Sequence, residues 1–273
     1  MTAVSFGLDS VTVAEDGVPA LIDVDLDVPA GAITVLIGAD GSGKTTASRV
    51  LVGLRRPGSG SVRRPSNDMI GYQPEAAGTW AELTVAENLE FVAAARRLGA
   101  PGTKRAQALL EVTGLSPAVD RLAANLSGGM RQKLAVAMAV LPEPKLVVLD
   151  EPTTGLDPVS RSELWRLLVR AAGEGMAVLA TTSYLDEAER ADGVVILDEG
   201  GVIGTGTAAD LREAFVGVMA VSETAVAGVH VWRRGRRWRV WAPDGVAPAG
   251  LEVVPPDLED VVTAAAVARR ETR

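Results

Sequence analysis

Nine residues, Gly38-Ala39-Asp40-Gly41-Ser42-Gly43-Lys44-Thr45-Thr46, restrict the fold of this chain more than any other stretch. They fit the pattern G-x-x-x-x-G-K-[ST], in which a strand runs into a glycine-rich loop and the loop opens a helix. The flanks agree. Ala32-Ile33-Thr34-Val35-Leu36-Ile37 is a short apolar run that predicts a buried strand, and residues 45–54 predict a helix. Glycines at 38, 41 and 43 let the backbone curl so that successive N–H groups converge, and the helix adds its positive end at the same spot. Such a cradle suits a di- or triphosphate. Lys44 would reach the β- and γ-phosphates, and the Thr45 hydroxyl would take one position on Mg²⁺. Gly38, Asp40, Gly41, Ser42, Gly43, Lys44, Thr45 and Thr46 are the candidate phosphate-binding set. From average residue usage the bare pattern arises by accident in roughly one chain of this length per hundred, and the strand-loop-helix context makes accident rarer.

At 273 residues the chain can hold one large domain, or one domain with a small appendage. Hydrophobic residues make up 47% of it, yet no apolar run approaches the ~18 residues needed to cross a bilayer. The opening Met1-Thr2-Ala3-Val4-Ser5 lacks the basic-then-apolar layout of a secretory leader, so the expected location is the cytoplasm. With no cysteine there is no disulfide or thiol nucleophile, and the lone His230 cannot build a histidine metal centre. Phosphate chemistry must therefore rest on carboxylates, Lys44 and Mg²⁺. A net charge of −8 argues against general nucleic-acid binding.

Along the chain, residues 20–28 alternate apolar and acidic positions, the period of a strand with one wet face. Arg56-Pro57-Gly58-Ser59-Gly60 is turn chemistry, and Met69-Ile70-Gly71-Tyr72 predicts a short strand. Residues 83–98 and 104–114 carry helical spacing, so this alanine-rich block reads as a helical insertion in an α/β core. Ser127 precedes Gly128-Gly129, and 130–141 predicts a helix closed by Pro142.

Leu146-Val147-Val148-Leu149 has the continuous apolar character of a strand buried on both faces. It delivers Asp150 and Glu151 to its carboxyl end, the edge where open α/β sheets bind ligands. Asp150 would sit beside the Mg²⁺ held by Thr45, and Glu151 could accept a proton from water attacking the γ-phosphate. Two acids after a strand are common alone; behind a phosphate loop about a hundred residues upstream they become informative.

With these elements in order, the chain resembles the nucleotide-binding subunit of an ATP-binding cassette (ABC) transporter of the drug-exporter (ABC-2) type. Walker A is Gly38 to Thr45, the signature is Leu126-Ser127-Gly128-Gly129-Met130, Walker B is Leu146 to Asp150 followed by Glu151, and Thr154-Gly155-Leu156-Asp157 matches the D-loop. The resemblance implies an α/β P-loop NTPase with a RecA-like parallel sheet, an N-terminal antiparallel β subdomain, an inserted helical subdomain over about residues 76–135, and a small C-terminal α/β appendage. It divides the chain into an ATPase domain, 1–213, and an accessory domain, 214–273. It also implies ATP and Mg²⁺ as ligands, a second ABC ATPase domain, identical or not, as one partner, and an integral membrane permease as the other. The chain would then lie peripherally on the inner face of the cell membrane. Ser127, Gly128 and Gly129 open a helix and so make an anion site; in the family they bind the γ-phosphate held by the other subunit.

Three positions depart from the family. The aromatic residue that stacks on adenine would fall at Val13-Ala14, and no aromatic lies between Phe6 and Tyr72, an expected loss of roughly 1–3 kcal/mol. Gly71-Tyr72-Gln73-Pro74-Glu75 puts Glu75 where the family has the Mg²⁺-sensing Gln, with Gln73 the lesser substitute. The switch histidine would fall at 183, which is Ser; serine can hydrogen-bond but cannot carry positive charge. Either Lys44, Glu151 and Ser183 still hydrolyse ATP slowly, or this half-site is degenerate while Ser127-Gly128-Gly129 completes a better site on another subunit.

Beyond residue 211, residues 229–241 read as a hairpin turning at Arg234-Gly235, and 255–262 resemble the tail of drug-exporter ATPases. The interleaved Arg and Trp suit lipid head groups or RNA, but more often mark one solvated and one packed face. The expected function is the cytoplasmic ATPase of an exporter. A soluble or ribosome-associated ABC ATPase is the alternative, though that class usually carries two cassettes; DNA-repair ATPases interrupt theirs with long coiled coils.

Overall fold

The computed structural model describes residues 4–76, 78–226 and 230–271. Val229, the first residue of the expected hairpin, and Met1-Thr2-Ala3 of the expected leaderless start lie outside the described residues.

The chain opens with β1 (Ser5–Glu15) and β2 (Val18–Pro29), then β3 (Ile33–Ile37), α1 (Lys44–Leu51), β4 (Ser59–Arg63) and β5 (Ile70–Gln73). Helices α2 (Val85–Ala95), α3 (Gly99–Val112) and α4 (Gly128–Val140) follow, then β6 (Leu146–Leu149), α5 (Pro158–Gly173), β7 (Ala177–Thr182) and α6 (Leu185–Ala188). The remainder is β8 (Gly193–Asp198), β9 (Gly201–Gly206), α7 (Ala208–Glu213), β10 (Val218–Ser222), β11 (His230–Arg234), β12 (Arg237–Ala242), β13 (Glu252–Val253) and α8 (Leu258–Glu271). Helix α3 starts before the expected residue 104, because Pro101 falls in its first turn, where its missing N–H is not needed. Strand β4 begins inside the stretch read as turn, and α1 stops at Leu51 rather than 54.

The central sheet has the order β5-β6-β7-β3-β8-β9, parallel except for the antiparallel edge strand β9. Its middle strands are buried on both faces, which explains their unbroken apolar sequences. Within them alternate residues serve two cores. Val35, Val147, Leu149 and Val178 face a core shared with α4 and α5, whereas Leu36, Val148 and Leu179 face one shared with α1 and the N-terminal sheet.

That N-terminal sheet, β2-β1-β4, is antiparallel. Asp16 (φ 50°) and Gly17 (φ 83°) form the two-residue turn between β1 and β2, with both backbones left-handed as such hairpins require. From Val24 to Val28 the predicted alternation holds, with Val24, Leu26 and Val28 buried and Asp25 and Asp27 exposed. Helix α2 is started by a reciprocal cap between Thr84 and Glu87.

The C-terminal segment forms a second antiparallel sheet, β11-β12-β10-β13, around a small core of Met219, Trp241 and Ala264. Helix α8 packs against α7 and β9, tying this sheet to the larger body. The hairpin turns at Gly235-Arg236, one residue later than expected, because Arg234 pairs with Arg237 and Gly235 takes the left-handed conformation. No helix among the described residues is long and apolar enough to cross a membrane.

Candidate functional site

Four neighbouring parallel strands, β5, β6, β7 and β3, end at one edge of the central sheet. They deliver Gln73 to Glu75, Asp150-Glu151, Ser183 and the phosphate loop to a single cleft of about 620 Å³. Of the expected site residues, Asp40, Gly41, Gly43, Lys44, Thr45, Thr46, Glu75, Glu151 and Ser183 line it.

The loop is shaped by close approach. Gly43 has φ 108°, and a Cβ there would stand 2.6 Å from the Ala20 carbonyl oxygen, so only glycine lets the hairpin of β1 and β2 pack on the loop. No side chain caps α1, which leaves its first amides for a ligand. Gly38 and buried Ser42 do not line the cleft but pack behind it: a Cβ on Gly38 would meet the Ser42 hydroxyl and the Leu197 carbonyl, each at 2.4 Å. Lys44 is only 6% exposed. Its ammonium donates to the carbonyls of Gly38 (2.7 Å) and Ala39 (3.2 Å) and to Ser183 Oγ (3.4 Å), and lies 3.3 Å from Glu151 Oε1.

Glu151 is fixed from every side. Its backbone is left-handed (φ 51°), its N–H donates to Thr181 Oγ1 (2.9 Å), and its carbonyl accepts from Gln132 Nε2 (3.0 Å). Its carboxylate accepts from Ser183 Oγ (3.1 Å) and Thr154 Oγ1 (2.9 Å). A non-glycine residue in this conformation costs of order 1–3 kcal/mol and persists only where its surroundings enforce it. Asp150 lies beneath, fully buried. Its Oδ1 accepts from Thr181 Oγ1 (2.7 Å), while Oδ2 has no partner among the described residues. Gln73 Nε2 donates to the carbonyls of Pro74 (2.6 Å) and Asp150 (3.3 Å), and its Oε1 also lacks a partner. Burial first, and the nearby Asp150 carboxylate second, raise the Tyr72 phenol above its ordinary range.

The lining residues include four carboxylates, Glu15, Asp40, Glu75 and Glu151, against one ammonium, Lys44. A polyphosphate entering such a cleft needs a divalent cation to offset the repulsion. The oxygen donors fit Mg²⁺: buried Asp150 with a free oxygen, Gln73 Oε1, the Thr45 hydroxyl and Glu75. No group of three or more His, Cys, Asp or Glu among the described residues could hold a metal by itself.

Ser127, Gly128 and Gly129 do not line the cleft. They form the cap and first residues of α4, with Ser127 and Gly128 exposed and Gly129 half-buried, and Ser127 Oγ accepts from the Met130 N–H (3.2 Å). Helix α4 nevertheless reaches the site through Gln132. Asp157 caps α5, and its hydrogen bonds, that from Ser160 foremost, hold its carboxyl below the usual range.

Sequence reading missed Ala20, Thr154 and Tyr184 on the cleft wall, and placed Val13-Ala14 where Glu15 lies. Val13 is buried in the N-terminal core, and register shifts between Val11 and Val13 and again between Val13 and Ala14 turn Glu15 to the cleft. Counting back from the buried Leu21 across the two-residue turn could have found it; alternation along β1 could not.

The Arg/Trp hairpin adopts the expected solvated-and-packed arrangement. Arg234 pairs with Asp257 and Glu259, Arg237 with Glu223, and Arg239 with buried Asp260, while Trp232 and Trp241 belong to the small core.

Known proteins bear on this geometry. The family described as "ABC transporter" matches residues 21–154. The chain is 43% identical over 210 residues to the probable multidrug ABC transporter ATP-binding protein YbhF of Escherichia coli K12, covering 73% of this chain and 36% of that one. It is 38% identical over 211 residues to the daunorubicin/doxorubicin resistance ATP-binding protein DrrA of Streptomyces peucetius, covering 73% and 64%. It therefore spans about a third of YbhF and just under two thirds of DrrA. A solved "ATP binding subunit of ABC transporter" superposes with a TM-score of 0.71 at 31% identity, covering 77% of this chain and 92% of that one.

Proposed function

The chain belongs to the ABC transporter ATP-binding family, and from that premise we propose that it binds Mg-ATP and, by closing on a second ABC ATPase domain, drives a separate membrane permease of the exporter class. One observation carries the reading: Lys44, Glu151 and Ser183 meet in one cleft, and the buried Asp150 at the end of the same strand as Glu151 keeps an oxygen without a partner among the described residues.

In this reading the free amides of α1 and Lys44 hold the β- and γ-phosphates. Asp150 and Thr45 hold the Mg²⁺, with Glu75 and Gln73 beside them; the ion, when bound, neutralises charge on the phosphate oxygens. Glu151 takes the proton of the attacking water. Ser183 positions Glu151 and Lys44 through its two hydrogen bonds, but it brings no positive charge to the γ-phosphate. Ser127, Gly128 and Gly129 close over the nucleotide of the partner domain. Two departures fall in one half-site, Ser183 at the phosphate end and Glu15 on the hairpin wall. They favour the version in which this site hydrolyses slowly and its signature helix serves a more active site on the partner.

The permease would dock beside Glu75, at a groove of about 220 Å³ between β5 and the helices α2 and α4. There Trp80 and Phe91 are 40% and 48% exposed with ring centres 4.3 Å apart, an apolar surface of the kind that marks an interface. In this reading the chain lies on the inner face of the membrane, and residues 1–213 act as the ATPase domain, 76–135 as its helical subdomain and 214–273 as an accessory domain. The names of the relatives, multidrug and daunorubicin resistance proteins, support export.

The test is steady-state ATPase activity of the chain alone and mixed with its native membrane fraction. Low activity alone and a rise with membranes is the expected result. Full activity in the isolated chain, abolished by Glu151→Gln, refutes the degenerate half-site. Co-purification of ribosomes in place of a polytopic membrane protein refutes the transport role.

A further inference from the structure

The cleft wall made by the hairpin of β1 and β2 is formed by Glu15 and Ala20, and among the described residues lining the cleft the only ring is Tyr184. That ring is already engaged: the Arg161 guanidinium stands 4.0 Å from its centre. With phosphates on the loop and their reacting end toward Glu151 and Ser183, the nucleoside is left the hairpin wall. Glu15 is held there by one oxygen. Its Oε1 accepts from Thr46 Oγ1 (3.5 Å) and lies 3.3 Å from Arg55 Nη1, while Arg55 Nη2 donates to the Ala14 carbonyl (2.8 Å). Its Oε2 takes no donor from the described residues.

A carboxylate and a nucleobase can meet in one favourable way. Electron density above the ring repels the carboxylate, whereas an N–H in the ring plane donates to it. Adenine offers its exocyclic amino group, and guanine offers a ring N–H and an exocyclic amino group. We infer that Glu15 reads the base by its N–H edge, so that this site accepts both adenosine and guanosine triphosphates and disfavours a base with no N–H donor. This rests on the nucleotide-binding reading of the cleft and assigns a further specificity-determining residue to it.

The experiment is equilibrium binding of the Mg²⁺ complexes of ATP, GTP and purine riboside triphosphate, whose base carries no N–H, to the full chain. GTP should bind at least as tightly as ATP, because guanine can present two adjacent N–H donors to one carboxylate, and the donor-free analogue should bind roughly fivefold more weakly than ATP, the effect of one partly solvated hydrogen bond. In Glu15→Ala the analogue should match ATP. Glu15→Tyr should tighten all three by about fivefold or more through stacking, and it reports on the base position independently of any loss of folding in the alanine variant. ATP bound more than about threefold tighter than GTP, or an unchanged ranking in a folded Glu15→Ala, overturns the role of Glu15 alone. Failure of all three to bind overturns the nucleotide reading together with it.

Discussion

The carboxyl edge of the central sheet and the C-terminal hairpin both concentrate charge, and they satisfy it in opposite ways. At the hairpin, basic and acidic groups answer each other within the protein: Arg239 donates to buried Asp260 at 2.9 Å, and Arg234 pairs with Asp257 and Glu259. At the sheet edge a buried carboxylate oxygen of Asp150 and the amide oxygen of Gln73 have no partner among the described residues, and four lining carboxylates face one lysine. Each buried, unpaired acceptor costs about 1–3 kcal/mol, and a few other buried polar atoms, Asp198 Oδ2 and the hairpin's Trp232 Nε1 included, also lack a partner among the described residues. What sets the sheet edge apart is that its unpaired acceptors belong to the strand ends that carry Glu75 and Glu151 to the cleft.

The largest test of this contrast concerns turnover. Single-turnover hydrolysis at this chain's own site should fall by about two to four orders of magnitude in Glu151→Gln, the usual contribution of a positioned base. Mg-ATP should still bind. Unchanged turnover would mean that the fixed carboxylate of Glu151 is structural, like those of the hairpin.

Binding comes next. Lys44→Ala removes the one ammonium lining the cleft and should weaken Mg-ATP by roughly tenfold to a hundredfold, the scale of charge-assisted hydrogen bonds. Titration calorimetry reads it directly, and the thermal protection given by Mg-ATP should shrink in parallel. An unchanged dissociation constant would place the phosphates elsewhere.

The hairpin should behave inversely. Asp260→Ala leaves Arg239 facing a buried gap and should destabilise the C-terminal sheet by about 3 kcal/mol, with Mg-ATP affinity unaltered. Replacing both partners with apolar residues, Arg239→Met with Asp260→Leu, should recover most of that loss, because a buried pair is often no more stabilising than good apolar packing. Loss of nucleotide affinity in either variant would show that the two regions are not independent.

Most of the core was legible because its constraints are local. The phosphate loop needs its glycines, Leu146 to Leu149 needs two buried faces, and Asp150-Glu151 follow at the strand end that topology brings beside the loop. What escaped reading depends on register and on distant partners. The irregular pairing of β1 decides that Glu15 rather than Val13 or Ala14 meets the cleft. Thr181 and Gln132 hold Asp150 and Glu151 from other elements, and no spacing in the sequence announces such bonds. The Arg/Trp strip was ambiguous for the same reason, since the acidic partners of Arg234 and Arg239 lie some twenty residues further on, at the start of α8.

The smallest effect is in acid. Burial alone would raise the Asp257 carboxyl, but the hydrogen bonds from Arg234 and from the Asp260 N–H, with the charges of Arg234 and Arg239, outweigh it and hold Asp257 below the usual range. The folded state therefore favours the ionised form. Its contribution is fully present above the unfolded value of about 3.9 and is lost as pH falls through the lower folded value. Because the Asp257 side chain is 42% exposed, solvent screening should keep that contribution below about 1 kcal/mol. Tryptophan fluorescence can follow it, since three of the five tryptophans, Trp232, Trp238 and Trp241, sit in the C-terminal sheet. In Asp257→Asn the sheet should melt slightly earlier at neutral pH and respond less to acid below about pH 4. If the variant and the parent titrate identically, the pairing at the hairpin is a surface contact without energetic weight, and the contrast with the cleft narrows to Asp260 alone.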